Sequence, residues 1–178
     1  MNVTRSPEDL RAIVDDYIRD YRARAKAEML FYKRQPTLAE VVDIAARCVL
    51  PNGKRHPHQR RIPPKSIADA RSRLFAVDLG VRQSFDELHA TVNATIRDIH
   101  TIGALVGYDV THRIGAFLKL EPQRVYHHRG TREGAVALGL GRGRATIELA
   151  ELPEPFRQLS AAEAEDCLCI YKERLGAR

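Results

Sequence analysis

The sequence lacks long apolar runs and has few cysteines. Across its 178 residues no apolar stretch approaches the roughly 18 residues that a membrane-spanning helix needs. Its first residues contain no apolar segment of the kind found in secretory signals. The three cysteines, Cys48, Cys167 and Cys169, do not have the spacing of a disulfide framework. These absences predict a cytoplasmic protein in a reducing environment, with no membrane partner.

Acidic residues are missing from one segment, and that segment is strongly basic. Residues 51–65 contain five basic side chains and no acidic one: Lys54, Arg55, Arg60, Arg61 and Lys65. A second segment, 123–144, carries five arginines against the single acid Glu133. The formal net charge of the whole chain is +6, and most of its cations are arginines, which can make planar two-point contacts with phosphate. This distribution predicts a polyanionic partner.

Helix-start signals recur along the chain and indicate an all-α fold. Four capping sequences open apolar patterns of helical period, and they begin at Ser6, Thr37, Ser84 and Ser160. A long first helix is expected over 7–30, and Thr131 is expected to cap a shorter one. The sequence therefore predicts one compact helical domain over 1–178, with about seven helices.

Residues 50–65 interrupt this pattern. They include four prolines and one glycine, a composition that no regular element tolerates. We therefore predict an irregular basic arm over 50–65 whose side chains donate hydrogen bonds to phosphates. The arm residues assigned to this role are Lys54, Arg55, His56, His58, Arg60 and Arg61.

Residues 96–110 contain the most specific pattern in the chain. Apolar residues stand at Ile96, Ile99 and Ile102, and small residues follow at Gly103 and Gly107. This spacing resembles the helix-hairpin-helix motif, with one departure, since threonine 101 stands where the first glycine is usual. The resemblance implies a turn whose free backbone amides bind a nucleic-acid phosphate without reading sequence. The residues it assigns to the contact are Thr101, Gly103, Ala104 and Leu105.

The same resemblance extends to the DNA-glycosylase superfamily, whose catalytic positions are not matched here. Leu105 stands where bifunctional members have a lysine, so no Schiff base can form at the hairpin. Gln123 stands where the superfamily has its aspartate, and Glu121 is the nearest acid. The sequence thus predicts no catalytic residue and no cofactor. A DNA-processing enzyme, nuclease or glycosylase-like, with Asp109 or Glu121 as its acid, remains an alternative.

Other polar residues admit more than one interpretation. Asp109 and Arg113 are four apart, so they either pair on one helix face or leave Arg113 to reach a phosphate. Arg129 and Arg132 are assigned to a second Arg-rich contact. Cys48, His56 and His58 could form part of a zinc site, but the spacing is unfamiliar and no fourth ligand is evident, so no metal is predicted.

Taken together, the patterns predict a protein that binds nucleic-acid backbone independently of sequence, with DNA favoured over RNA. The binding surface would consist of the hairpin and two Arg-rich loops. A protein-interaction module of a phage or defence system is a further alternative. The apolar residues Met29, Leu30 and Phe31 leave a homodimer through the first helix open.

Overall fold

Helices dominate the computed structural model, which describes residues 5–176; this is compatible with the predicted all-α class, although the described residues also form a small two-stranded sheet. Internal contacts divide the chain into two compact units, one formed by Met1–Ala25 with Pro122–Arg178 and the other by Lys26–Glu121. Folding as one domain over 1–178 therefore stays a prediction. Among the described residues, no helix is both long and apolar enough to cross a bilayer.

The N-terminal helical region is less regular than expected. Helix α1 (Pro7–Tyr17) begins where Ser6 accepts a hydrogen bond from the amide of Asp9 at 3.1 Å, as its capping sequence predicts. A π-helical turn (Ile18–Arg22) then follows, and α2 (Ala23–Lys33) continues from it. The single helix predicted over 7–30 is thus two α-helices joined by a wider turn.

Four helices form most of the unit Lys26–Glu121. They are α3 (Leu38–Ala46), α4 (Pro64–Phe75), α5 (Phe85–Ile96) and α6 (Ala104–Leu118). Thr37 and Ser84 cap α3 and α5, which confirms two predicted helix starts. Between α3 and α4 the chain is irregular, as its prolines predict, except for a short 3-10 turn (Pro57–Gln59).

The core of this unit is a single apolar cluster that joins the arm to the hairpin. Ile62 of the arm and Ile67 of α4 belong to the same buried cluster as Ile99, Ile102 and Val106 around the hairpin turn. Burial of these side chains removes apolar surface from water and is the main stabilising contribution to the unit. The arm is therefore anchored at its C-terminal end.

The remaining elements belong to the other unit. They are β1 (Arg124–Tyr126), α7 (Arg129–Ala137), β2 (Thr146–Glu148), α8 (Ala161–Ile170) and α9 (Lys172–Gly176). The two strands are antiparallel, with Val125 opposite Ile147, and both side chains are fully buried. Short 3-10 turns at Leu149–Glu151 and Glu154–Gln158 lead from β2 to α8. The Ser160 capping box is present at the start of α8, as predicted.

The cap of α7 differs from the prediction. The helix begins at Arg129 rather than after Thr131, and the ring of His128 accepts the hydrogen bond from the amide of Gly130 at 3.2 Å. Thr131 instead lies within the first turn and is completely buried. The predicted cap was wrong because a histidine Nδ1 can fill the role that hydroxyl and carboxylate oxygens usually play.

Candidate nucleic-acid interface and the buried network beneath it

The turn between α5 and α6 contains one residue with a left-handed backbone. Thr101, at the position where the motif usually has glycine, adopts a φ of 74°. This left-handed region is strained for a β-branched residue, at a cost of roughly 1–2 kcal/mol. The turn thus forms without glycine at 101, and threonine takes the strained conformation itself.

The N-terminus of α6 is open to solvent. Gly103 is the N-cap residue, and as a glycine it has no side chain that could accept a hydrogen bond from the first turn. Gly103 and Ala104 are exposed, and a Cβ atom placed on Gly103 would meet no heavy atom within 4 Å. The first amides of a helix have no acceptor within the helix, and the helix dipole gives this end a partial positive charge. The geometry therefore suits an anion.

The start of α4 brings basic residues close to this turn. The hydroxyl of Thr101 donates a hydrogen bond to the hydroxyl of Ser66 at 3.3 Å. Lys65, directly before Ser66, is exposed, and so is Arg61. Within residues 5–176, neither cation has a carboxylate at ion-pair distance. An exposed cation, Lys65, is therefore the sequence neighbour of the residue that contacts the turn.

One acidic residue also lies at the turn. Asp98 is two-thirds exposed, and Arg73 donates to both of its carboxylate oxygens, at 2.8 and 2.9 Å. The same guanidinium pairs with Asp69 at 3.0 Å. Because Arg73 lies between two carboxylates, this group of three carries a net charge of only −1.

The basic arm makes several contacts with backbone groups. Val49 and Arg55 form an isolated antiparallel bridge that closes its first five residues into a small loop. The hydroxyl of Tyr32 donates to the carbonyl of Val49 at 2.6 Å, and Arg55 donates to the carbonyl of Ile62 at 3.2 Å. The Tyr32 contact thus fixes the start of the arm and the buried Ile62 its end, while Arg55 links the two parts of the arm.

One polar residue of the arm points inward. Gln59 has no exposed surface, and its side-chain amide bridges two residues of α6. Its Nε2 donates to a carboxylate oxygen of Asp109 at 2.6 Å, while its Oε1 accepts from Nη1 of Arg113 at 3.1 Å. Both ends of the amide are thus satisfied inside the unit, as a buried amide requires.

Arg113 lies at the centre of this buried network. It is 2% exposed, and its guanidinium lies 3.6 Å from Glu28, 3.8 Å from Asp109 and 5.6 Å from the centre of the Tyr32 ring. The predicted contact of Arg113 with an external phosphate is therefore corrected. Two carboxylates and an aromatic ring hold the guanidinium in the interior, which corresponds to the helix-pairing interpretation.

The other predicted contact residues are distributed over both units. Most of those in the unit Lys26–Glu121 are exposed, namely Thr101, Gly103, Ala104, Lys54, His58, Arg60 and Arg61. Three others are half-buried: Leu105, Arg55 and His56. The rings of His56 and His58 stack with their centres 5.2 Å apart. Arg129 and Arg132 are exposed in the other unit, where Arg129 pairs with Glu133 at 3.1 Å. Within residues 5–176, no three histidine, cysteine or carboxylate side chains are arranged so that they could hold a metal ion, Cys48, His56 and His58 included.

Sequence reasoning missed a polar cluster in the other unit, formed by His128, Thr131, Glu165 and Cys169. Glu165 and Cys169 are four residues apart, and this spacing places them on the same face of α8. That spacing was the available signal, but only the fold brings the start of α7 to that face.

No protein family, curated protein or solved structure matches this chain.

Proposed function

We propose that the protein binds the phosphate backbone of duplex DNA, independently of sequence, through the turn 97–103, the first turn of α6 and the basic arm. The observation that carries the proposal is the contact between Thr101, the left-handed residue before an exposed helix N-terminus with no side-chain cap, and Ser66, the neighbour of the exposed cation Lys65. Backbone amides at such a helix end bind phosphate, and nearby cations raise the local concentration of a polyanion.

The contacts available at this surface favour backbone binding over base recognition. The amides of Ala104 and Leu105 and the neighbouring cations recognise phosphate oxygens, which are the same for every base pair. A protein that neutralises several phosphates shows binding that weakens steeply with salt. DNA is preferred as the partner because the proposed contacts require no 2′-hydroxyl, whereas proteins select RNA largely through that group and through unpaired bases.

The test is fluorescence anisotropy of a labelled duplex of about 20 base pairs, titrated with the full chain between 50 and 300 mM salt. We expect affinity to fall at least tenfold across that range and to change little when the duplex sequence is scrambled. Equal affinity at both salt concentrations, or no binding at 50 mM salt, would overturn the proposal. Single-stranded DNA, duplex RNA and branched DNA in parallel titrations determine which nucleic acid is preferred.

Ala104→Pro tests the helix N-terminus directly. This substitution deletes one backbone N–H at the first helical position, where proline is well tolerated. The preceding Gly103 has φ −100° and ψ 178°, an extended conformation that suits a residue before proline. We expect a three- to tenfold loss of affinity, whereas the matched Ala104→Ser, which keeps the amide, leaves affinity unchanged. Equal affinity of Ala104→Pro and Ala104→Ser would remove the helix end from the interface.

Charge reversal separates the contribution of the arm. Lys65→Glu reverses a charge beside the turn, and glutamate in the first turn of α4 favours the helix dipole, so the fold is preserved. Lys119→Glu, at the opposite end of the 15-residue helix α6, is the matched control. We expect Lys65→Glu to weaken binding to every duplex alike and Lys119→Glu to have a small effect. Arg129→Glu with Arg132→Glu tests the second Arg-rich segment separately.

A further inference from the structure

A loop with three glycines connects α7 to β2 in the other unit. This glycine loop runs from Gly139 to Arg144, and each of its glycines has a left-handed backbone, with φ between 71° and 77°. Its start is held by α7, because the amide of Leu140 donates to the carbonyl of Ala135 at 2.9 Å. Among the described residues, no hydrogen bond joins 141–143 to a residue outside the loop. The middle of the glycine loop therefore depends on other contacts for its position.

The ring of His127 supplies those contacts. His127 directly follows β1 and is only 7% exposed. Its Nδ1 lies 3.0 Å from the carbonyl oxygen of Arg144, the last residue of the glycine loop. Gly141 packs against the same ring, since a Cβ atom there would lie 2.3 Å from Cε1 and 3.1 Å from Nε2. One imidazole thus contacts the glycine loop at two points.

The contact with Arg144 decides which nitrogen of the neutral ring carries the proton. A carbonyl oxygen only accepts hydrogen bonds, so Nδ1 of His127 carries the proton and donates it. Nε2 is then a bare acceptor, and it is buried without a hydrogen-bond partner among the described residues. A second proton at Nε2 would be a buried, charged donor without an acceptor, which is far less favourable than the bare nitrogen.

Positive charge near the ring acts in the same direction. Burial is the largest cause that lowers the pKa of His127, and the charges of Arg132, Arg144 and His128 lower it further. The hydrogen bond to the carbonyl of Arg144 raises the pKa but does not outweigh them. Protonation of His127 therefore favours a conformation in which Nε2 reaches water.

We propose that His127 is a pH-sensitive latch: its neutral ring holds the glycine loop closed, and protonation at Nε2 releases the loop. Release breaks the hydrogen bond to Arg144 and moves Gly141 away from the ring. The far end of the loop stays in place, because the carbonyl of Ala145 accepts a hydrogen bond from the amide of His127 at 2.8 Å. The latch lies outside the unit that contains the proposed DNA contacts, and neither proposal depends on the other.

The direction of the pH dependence follows from the two pKa values of the ring. In the released loop the ring has its ordinary pKa of 6.5, whereas in the closed loop the pKa of His127 is lower. Closure is therefore most stable above about pH 6.5 and weakens as the pH falls. The ratio of closed to open loop drops by up to about tenfold per pH unit until the closed ring also takes up its proton.

The neighbouring groups keep their charge over this range. Burial lowers the pKa of His128, but the interactions at its ring outweigh burial and raise the pKa to about 10, so it stays protonated. The hydrogen bonds from Arg144 lower the pKa of Glu151 to about 2, so that carboxylate stays ionised. A change in the glycine loop between pH 7.5 and 5.5 therefore reports His127 rather than these groups.

The test measures amide hydrogen exchange by NMR on the full chain at pH 7.5 and 5.5, as protection relative to the unfolded chain. The amide of Arg144 reports closure, because it donates to the carbonyl of Gly141 at 3.0 Å. We expect its protection to fall at least about threefold at the lower pH, while the amide of Leu168 in the buried helix α8 keeps its protection. Unchanged protection at Arg144, or an equal fall at Leu168, would overturn the proposal.

Two glycine variants differ in their contact with the ring. Gly141→Ala and Gly143→Ala introduce alanine at similar left-handed positions, with φ 71° and 75°. Only the Cβ atom at 141 meets the ring of His127, whereas the one at 143 meets no heavy atom within 4 Å. We expect the pH dependence at Arg144 to disappear in Gly141→Ala and to persist in Gly143→Ala. The same behaviour in both variants would contradict the latch.

A variant of the histidine and a spectrum of the unmodified chain complete the test. His127→Asn keeps an N–H donor near the position of Nδ1 but cannot become charged, so the Arg144 amide should be equally protected at both pH values. A fall as large as that of the unmodified chain would assign the effect to another group. A long-range ¹H–¹⁵N spectrum at neutral pH should place the proton of the unmodified His127 on Nδ1. A proton on Nε2 would exclude the latch, even if the variants do not fold.

Discussion

The side-chain amide of Gln59 accepts a hydrogen bond from the buried guanidinium of Arg113, although the two residues are 54 positions apart. Gln59 belongs to the basic arm and Arg113 to α6, so the arm contributes a side chain to the interior of its unit. The buried network therefore fixes the position of Gln59, and with it this part of the arm, relative to α6. The four predictions below concern Arg113 in this network, Thr101 in the turn between α5 and α6, Gly107 on α6, and His128 in the other unit.

Arg113→Met should destabilise the protein by about 3–5 kcal/mol, because it leaves the carboxylates of Glu28 and Asp109 without their buried partner. Chemical denaturation followed by circular dichroism measures the loss. Arg47→Met in the same unit is the control, since Arg47 pairs with Asp43 at the surface and its removal should cost less than about 1 kcal/mol. Equal losses in the two variants would show that the buried network contributes no more to the free energy of unfolding than a surface ion pair does.

Thr101→Gly should be at least as stable as the unmodified chain. Glycine adopts the left-handed conformation without strain, which gains about 1–2 kcal/mol, against about 0.5–1 kcal/mol for the greater freedom of glycine in the unfolded chain. Thr101→Val keeps the shape and the strain of threonine but loses the hydrogen bond to Ser66, so it should be less stable than either. A thermal melt of the three proteins checks the order, and a glycine variant less stable than valine would contradict it.

Gly107→Ala should be destabilising by about 1–3 kcal/mol, because a Cβ atom at this position would lie 2.1 Å from Oδ1 of Asn93 on the neighbouring helix α5. Asn93→Ala removes the obstructing group, and the double variant should regain most of the loss that Gly107→Ala causes. Denaturant titration of the four proteins in this double-mutant cycle measures the coupling. Simple additivity of the two effects would count against close contact between these positions.

The His128 cluster should make stability depend on pH. The pKa of His128 is raised from 6.5 to about 10 on folding, so the stabilisation is fully present below about pH 6.5 and is lost as pH rises towards about 10. The groups at the ring are Glu165 and Thr131 at Nε2 and the amide of Gly130 at Nδ1, with His127 adjacent in sequence, and Cys169 also contributes to the shift. We expect the difference in unfolding free energy between the unmodified chain and His128→Gln to shrink between pH 7 and 10. A difference that stays constant would contradict the assigned direction.

Local signals predicted much of the helical structure. Hydroxyl caps at Thr37, Ser84 and Ser160 act over three residues, so their meaning does not depend on the rest of the fold. The spacing of residues 96–110 predicts a small residue at Gly107. The structure supplies a reason, because Asn93 occupies the space that a side chain would need.

The remaining features depend on contacts distant in sequence. Gln59 stands in a segment of prolines and cations that gives no reason to expect burial, and only its pairing with Arg113 places it inside. The burial of Glu165 was not predictable either, because a carboxylate on a helix is usually exposed unless a partner distant in sequence, here His128, contacts it. At Thr101 the sequence showed the departure from glycine, but not that threonine itself adopts the left-handed backbone, which it rarely does.

The bridge between Val49 and Arg55 has a practical consequence. The five residues it encloses form a tip closed by hydrogen bonds from Leu50 to Lys54 and from Gly53 to Leu50, at 2.8 and 2.9 Å. Residues 51–53 of this tip are exposed. A short insertion there would leave the bridge, and everything it anchors, unchanged. The tip thus offers an attachment point for an affinity tag or a reporter group.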